Sequence, residues 1–256
     1  MMPVTVDGES VKLAVITYKP SGNGPFPTLI FHHGSTGRGN DPSLFAKPYD
    51  PRVLAEWFTA RGWAVVLPSR RGRGGSEGRY DEGFSIDRTQ GYSCDPTLSI
   101  PGADRALRDI DAVTAVILGM PIVDRTRFAV GGQSRGGILT IAWSGKHPEA
   151  RAVINFVGGW MGTGCTTATT INQTLFGRGA AYGKPTTWLY GARDPFYPLS
   201  HSRENFAAFE AAGGKGAFHE YKPALLTGHQ IGSDPTLWQA DMEAYLSERG
   251  LPSKTN

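Results

Sequence analysis

With 256 residues, 39% of them hydrophobic and 11% aromatic, the chain can bury a sizeable core, which excludes disorder and a short disulfide scaffold. Its 26 Lys and Arg against 23 Asp and Glu leave a net charge of +3, which requires neither nucleic acid nor an anionic membrane as partner. The 34 glycines and 18 prolines imply many tight turns and argue against a helical bundle or coiled coil.

In chain order, Met1 to Gly8 lacks a basic segment followed by a long apolar run, and no stretch reaches the apolar length of a membrane span. The chain therefore reads as soluble and cytoplasmic by default, or as periplasmic or secreted if a leader has been removed. Val11 to Tyr18 and Pro27 to Phe31 are apolar, β-branched runs that read as strands. Pro51 to Arg61 reads as a helix stopped by Gly62, and Trp63 to Leu67 as the next strand. Arg70 to Pro101 is irregular. Ala103, Leu107, Ile110, Thr114 and Ile117 then recur at steps of three and four, the apolar face of a helix. Arg127 to Val130 is a strand, and Arg135 to His147 is a helix that Pro148 ends. Ala152 to Val157 is a further strand, Trp160 to Gly183 is irregular, and Thr186 to Tyr190 is again a strand. Helices over Pro198 to Ala212 and Thr236 to Glu248 flank a last strand holding His219.

This alternation predicts an α/β fold with a mostly parallel sheet. Without repeats or a separating linker, residues 1–256 read as a single domain. The two irregular stretches are long enough to be functional loops on a rigid scaffold.

Gly132-Gln133-Ser134-Arg135-Gly136 lies between a predicted strand and a predicted helix, the setting of a G-x-S-x-G nucleophile elbow. Side chains at 132 or 136 would collide with the neighbouring strand or helix, and the helix N-terminus behind Ser134 adds a positive dipole. A serine nucleophile needs a base, and the base needs an orienting acid, in the chain order Ser, Asp or Glu, His. Asp194 follows the strand ending at Tyr190, in a turn made by Gly191 and Pro195; Glu204 and Asp234 are weaker substitutes because each belongs to a helix or its start. His229 sits in a loop between the last strand and the last helix. His219, His201 and His147 fall within regular elements, and His32 and His33 precede the serine. Backbone N–H groups of Ser35 and Arg135 are the expected oxyanion donors. His33, Phe84, Tyr92, Trp160, Met161, Phe196 and Tyr197 are candidates to line the substrate pocket.

Phe31-His32-His33-Gly34-Ser35, the Gly-Gln-Ser-Arg-Gly elbow, Asp194 and His229 together resemble the α/β-hydrolase superfamily, and the compact length resembles its dienelactone hydrolase-like branch. The resemblance implies about eight strands, helices on both faces and no large cap domain. Arg71 to Gly78 is similar to the arginine-glycine loop of esterases and prolyl-type peptidases in that superfamily. Ser134 stands where true dienelactone hydrolases carry cysteine, which favours ordinary ester hydrolysis of a small-molecule substrate. A small serine peptidase and a non-catalytic ligand-binding protein on the same fold are the alternatives.

Arg70, Arg71, Arg73 and Arg79 form a cluster that glycines interrupt, and they read as a solvated loop. The glycines at 72 to 78 do not have dinucleotide-fingerprint spacing, and no H-E-x-x-H occurs, so neither metal nor cofactor is expected. Cys94 and Cys165 fall one in each irregular stretch; a disulfide between them would clamp both loops, and two free thiols are the alternative.

Overall fold

The computed structural model describes residues 1–255. Strands β1 (Met2–Val6) and β2 (Glu9–Leu13) pair antiparallel in a small separate sheet. The main sheet holds β3 (Val15–Tyr18), β4 (Phe26–His32), β5 (Ala64–Pro68), β6 (Val123–Gln133), β7 (Ala152–Phe156), β8 (Thr186–Gly191) and β9 (Gly216–Tyr221). Its order is β3-β5-β4-β6-β7-β8-β9, with β3 antiparallel at one edge and every other pairing parallel. The main sheet thus has seven strands where about eight were expected.

The difference arises at Ala14. Val11 to Tyr18 is largely apolar and reads as one strand, but the chain changes sheets in its middle. The N–H of Ala14 donates to Ser76 Oγ at 2.8 Å, and its carbonyl accepts from the Ser69 N–H at 2.8 Å. The half before it pairs with β1 and the half after it with β5.

Six helices cover the sheet: α1 (Arg52–Thr59), α2 (Pro96–Leu118), α3 (Arg135–Ser144), α4 (Ala168–Arg178), α5 (Leu199–Ala211) and α6 (Pro235–Glu248). One face carries α1 and α6; α2, α3, α4 and α5 form a continuous layer on the other. Strands β5, β7 and β8 are buried at every position, as covering both faces demands. All ten residues of α3 are buried, because α2 and α4 flank it while β6 and β7 lie beneath.

Both stretches read as irregular contain helix. Asp95 caps α2 by accepting the Thr97 N–H at 2.8 Å, and Pro96 fits the first turn. The helix runs on through Pro101, whose place in the sequence reads as a break. Helix α4 is rich in threonine, with Asn172 in its middle, a composition of weak helix propensity that packing against α3 and α5 overrides.

Candidate active site

Strand β6 turns into α3 at Ser134, whose φ of 57° and ψ of −124° lie outside the ordinary regions for an L-residue. Such a conformation costs of order 1–3 kcal/mol and persists only where the surroundings impose it. Here the Ser134 N–H donates to the Phe156 carbonyl at 3.0 Å, and the Ser134 carbonyl accepts from Gly137 at 2.9 Å and Gly159 at 3.2 Å. A Cβ on Gly132 would overlap the backbone of Gly136, and one on Gly136 would overlap the His32 carbonyl. A Cβ on Gly34 would come within 2.9 Å of Ser134 Cβ, so the Gly34–Ser35 segment lies directly against the serine.

Asp194 follows β8 and is fully buried at its carboxyl. One oxygen accepts the backbone N–H groups of Phe196 at 2.8 Å and Tyr197 at 3.0 Å; the other accepts from His229 Nδ1 at 2.9 Å. A carboxylate only accepts, so Nδ1 carries the proton and Nε2 is left as the acceptor of the neutral ring. The loop bearing His229 reaches the acid because Gly191 and Gly228 touch backbone to backbone, where a Cβ on Gly191 would come within 2.5 Å of Gly228 Cα. Rings of Phe196 and Tyr197 flank the imidazole at centroid distances of 4.8 and 5.7 Å. Burial pushes the Tyr197 phenol up to about 12, and it donates to the Gly159 carbonyl at 2.7 Å.

Ser134 and His229 line one cavity of about 670 Å³, together with Ser35, Arg135, Tyr92, Trp160, Met161, Phe196 and Tyr197. The Arg135 N–H belongs to the first turn of α3, where backbone donors have no intrahelical partner. His33 and Phe84 stand behind the wall instead. His33 Nε2 accepts the Arg70 N–H at 3.1 Å and Nδ1 donates to the Gly34 carbonyl at 2.7 Å, which uses both ring nitrogens. Burial, with the charges of Arg70 and Arg73, holds this imidazole neutral, well below its ordinary range. Phe84 packs edge-on to Phe45 and Tyr80, with the Arg88 guanidinium 3.7 Å from its centroid.

The arginine loop is buried rather than solvated, apart from Arg79. Arg70 Nε meets Glu82 at 2.5 Å; Arg71 meets Asp109 at 2.6 Å and Asp7 at 2.9 Å. Arg73 donates to the carbonyls of Phe45 and Gly34, both at 3.3 Å, lies over the Tyr80 ring and lines the cavity. The Arg135 side chain is sandwiched between Tyr92 and Trp160, 3.6 and 4.1 Å from their centroids, and donates to the Glu82 carbonyl at 2.7 Å. Burial alone would raise the Glu82 carboxyl, but Arg70, Arg135 and Arg73 outweigh it and hold it below its ordinary range. Asp109 was the available signal: it shares a helix face with the buried Ala106, Ile110 and Val113, and so demands a buried cation.

Sequence reasoning also missed Tyr49, Gln133, Arg38 and the Gly162–Cys165 segment as cavity residues. Cys94 and Cys165 form a disulfide with Cα atoms 5.6 Å apart, joining the segment of Tyr92 to that of Met161 across the cavity rim. Among the described residues no group of three or more His, Cys, Asp or Glu could hold a metal ion, and no helix is long and apolar enough to cross a membrane.

A parallel sheet with one antiparallel edge strand, an elbow between β6 and α3, and an Asp–His pair on the loops after β8 and β9 define the class: a hydrolase of the α/β-hydrolase superfamily. Residues 7–161 match the model of the X-Pro dipeptidyl-peptidase (S15) family, and the chain belongs to that family. No curated protein matches the sequence. Among solved structures it is similar to DcsB in complex with its substrate analogue, at a TM-score of 0.66 and 14% identity over 96% of this chain and 97% of that one. It is also similar to Est1E from Butyrivibrio proteoclasticus with bound ferulic acid, at 0.60 and 16% over 87% and 89%. A Klebsiella pneumoniae protein assigned as a dienelactone hydrolase gives 0.60 and 18% over 96% and 97%. At these identities the likeness concerns the fold.

Proposed function

We propose that the protein is a serine carboxylic-ester hydrolase acting on small molecules through an acyl-enzyme. Ser134 Oγ attacks the ester carbonyl while His229 Nε2 takes its proton; the proton passes to the leaving alcohol, and Asp194 keeps Nδ1–H in place throughout. The N–H groups of Ser35 and Arg135 hold the oxyanion, each donor being worth about 3 kcal/mol in the transition state. Water, deprotonated by His229, then cleaves the acyl-enzyme. The observation that carries this reading is the Asp194–His229 bond of 2.9 Å beside a cavity that Ser134 also lines.

Family membership favours a second reading, a serine peptidase. A dipeptidyl peptidase must accommodate the cationic terminal amine of its peptide. The cavity here is lined by Arg38, Arg73 and Arg135 and by no carboxylate that could pair with an ammonium group, which supports the ester reading.

Reaction with a fluorophosphonate, followed by mass-spectrometric mapping, is the test. Labelling at Ser134, with esters cleaved and X-Pro amides left intact, supports the proposal. Cleavage of the amides in preference to esters transfers the assignment to the peptidase, and folded protein without label leaves a ligand-binding protein on the same fold.

A further inference from the structure

Gln133, the residue before Ser134, ends β6 with its side chain in the cavity wall. Its Nε2 donates to the backbone carbonyl of His229 at 2.8 Å, across 96 positions of sequence. Because that carbonyl can only accept, the amide has one possible orientation, and its Oε1 faces the Tyr49 hydroxyl. Tyr49 OH donates to Oε1 at 2.5 Å, and the Tyr49 ring lies nearly parallel to that of Phe31 on β4, at 12° and 6.5 Å.

The turn carrying His229 has other supports. Thr227 and Gln230 cap it, Trp238 Nε1 donates to the Ile231 carbonyl at 2.9 Å, and Gly228 rests on Gly191. Each of these ties the turn to itself, to α6 or to the acid's loop. Gln133 alone among these supports joins the backbone of His229 to the residue adjoining Ser134, so one amide sets the separation between the two.

We infer that Gln133 is a positioning residue for proton transfer between Ser134 and His229, and that Tyr49 locks its amide in the working orientation. This rests on the serine-hydrolase reading above. Acyl transfer is sensitive to such placement: a displacement of about 1 Å can cost on the order of 100-fold in rate.

The test compares Gln133→Met, which keeps the length of the side chain and removes both polar groups, with Tyr49→Phe and the double variant. The readouts are the rate constant of fluorophosphonate labelling at Ser134 and the kcat and KM for an activated ester. Expected for Gln133→Met is a fall of about 10- to 100-fold in kcat and in labelling rate, with KM within about twofold. Tyr49→Phe should lose about 3- to 10-fold, and the double variant should be no slower than Gln133→Met, because the hydroxyl acts only through the amide. Labelling by Gln133→Met within about twofold of the unmodified protein would overturn the inference, as would purely additive losses in the double variant. Should Gln133→Met fail to fold, Tyr49→Phe decides alone, and unchanged kcat there overturns the inference. Absence of labelling in the unmodified protein would instead remove the serine mechanism itself.

Discussion

Replacing Asn172 by leucine tests whether the cavity wall is held by one side chain. Asn172 is fully buried on α4, and its amide uses its full bonding capacity. Oδ1 accepts the N–H groups of Trp160 at 2.9 Å and Met161 at 3.0 Å; Nδ2 donates to the Met161 carbonyl and to His201 Nε2, each at 2.9 Å. Leucine fills a similar volume but leaves two buried backbone donors without partners, at about 1–3 kcal/mol each, or about 2–6 kcal/mol for the pair, and also takes a donor from the Met161 carbonyl and His201 Nε2. Its added apolar surface offsets about 1–2 kcal/mol. The expected loss is therefore at least about 3 kcal/mol, a large share of the 5–15 kcal/mol typical of a folded domain. Urea unfolding followed by tryptophan fluorescence measures it, with the slope checked for constancy. Ser134 labelling should slow in the same variant, because Trp160 and Met161 line the cavity. A loss below about 1 kcal/mol at unchanged slope would refute the reasoning, since the orphaned donors would then have found other partners.

Burial lowers the pKa values of His32 (to about 3), His33 and His201, with Arg70 adding to the effect on the first two. Below about 6.5 the unfolded chain therefore binds more protons than the folded one, and stability falls with pH by up to about 4 kcal/mol per unit for three histidines. Equal urea midpoints at pH 8 and pH 5.5 would contradict this. Ser134→Ala should lower turnover by about six orders of magnitude with the fold intact; near-normal turnover would end the proposed mechanism. Gly136→Ala drives a methyl group into the His32 carbonyl and should abolish Ser134 labelling, so a normally reactive variant would show the elbow to be looser than described. Reducing the Cys94–Cys165 bond, which spans 71 positions, should cost up to about 4 kcal/mol by chain entropy. Loss of thermal stability in dithiothreitol checks this, and two alkylatable thiols before reduction would count against the bond.

How much of this was legible in the sequence depended on the range of the interaction. Strands β4 to β8 and helices α1, α3, α5 and α6 follow from local apolar pattern and from punctuation by Gly and Pro. The elbow was readable because its glycine requirement is local, spanning residues 132 to 136. The sheet switch at Ala14 was hidden because its cause, Ser69 and Ser76, lies more than 50 residues away. The arginine loop was misread for the same reason: Glu82, Asp109 and Asp7 neutralise it from 12 to 64 positions off. His33 and Phe84 belong to segments that do bound the cavity, but which side of a loop faces the void is settled by tertiary packing. Gln133 occupies a variable position of the elbow pattern, and nothing local pairs it with Tyr49 or His229.

Glycines 132 and 136 let main chain press on main chain beside Ser134, and Gly34 lets the chain lie against the serine's own Cβ, so the turn that carries the reactive oxygen is held by backbone packing. The shape of the void, by contrast, comes largely from side chains on the segments around residues 92 and 160 to 165. The turn and the chamber thereby rest largely on different atoms. Side chains around residues 92 and 160 to 165 can therefore be exchanged to reshape the chamber without touching the glycines that hold the turn.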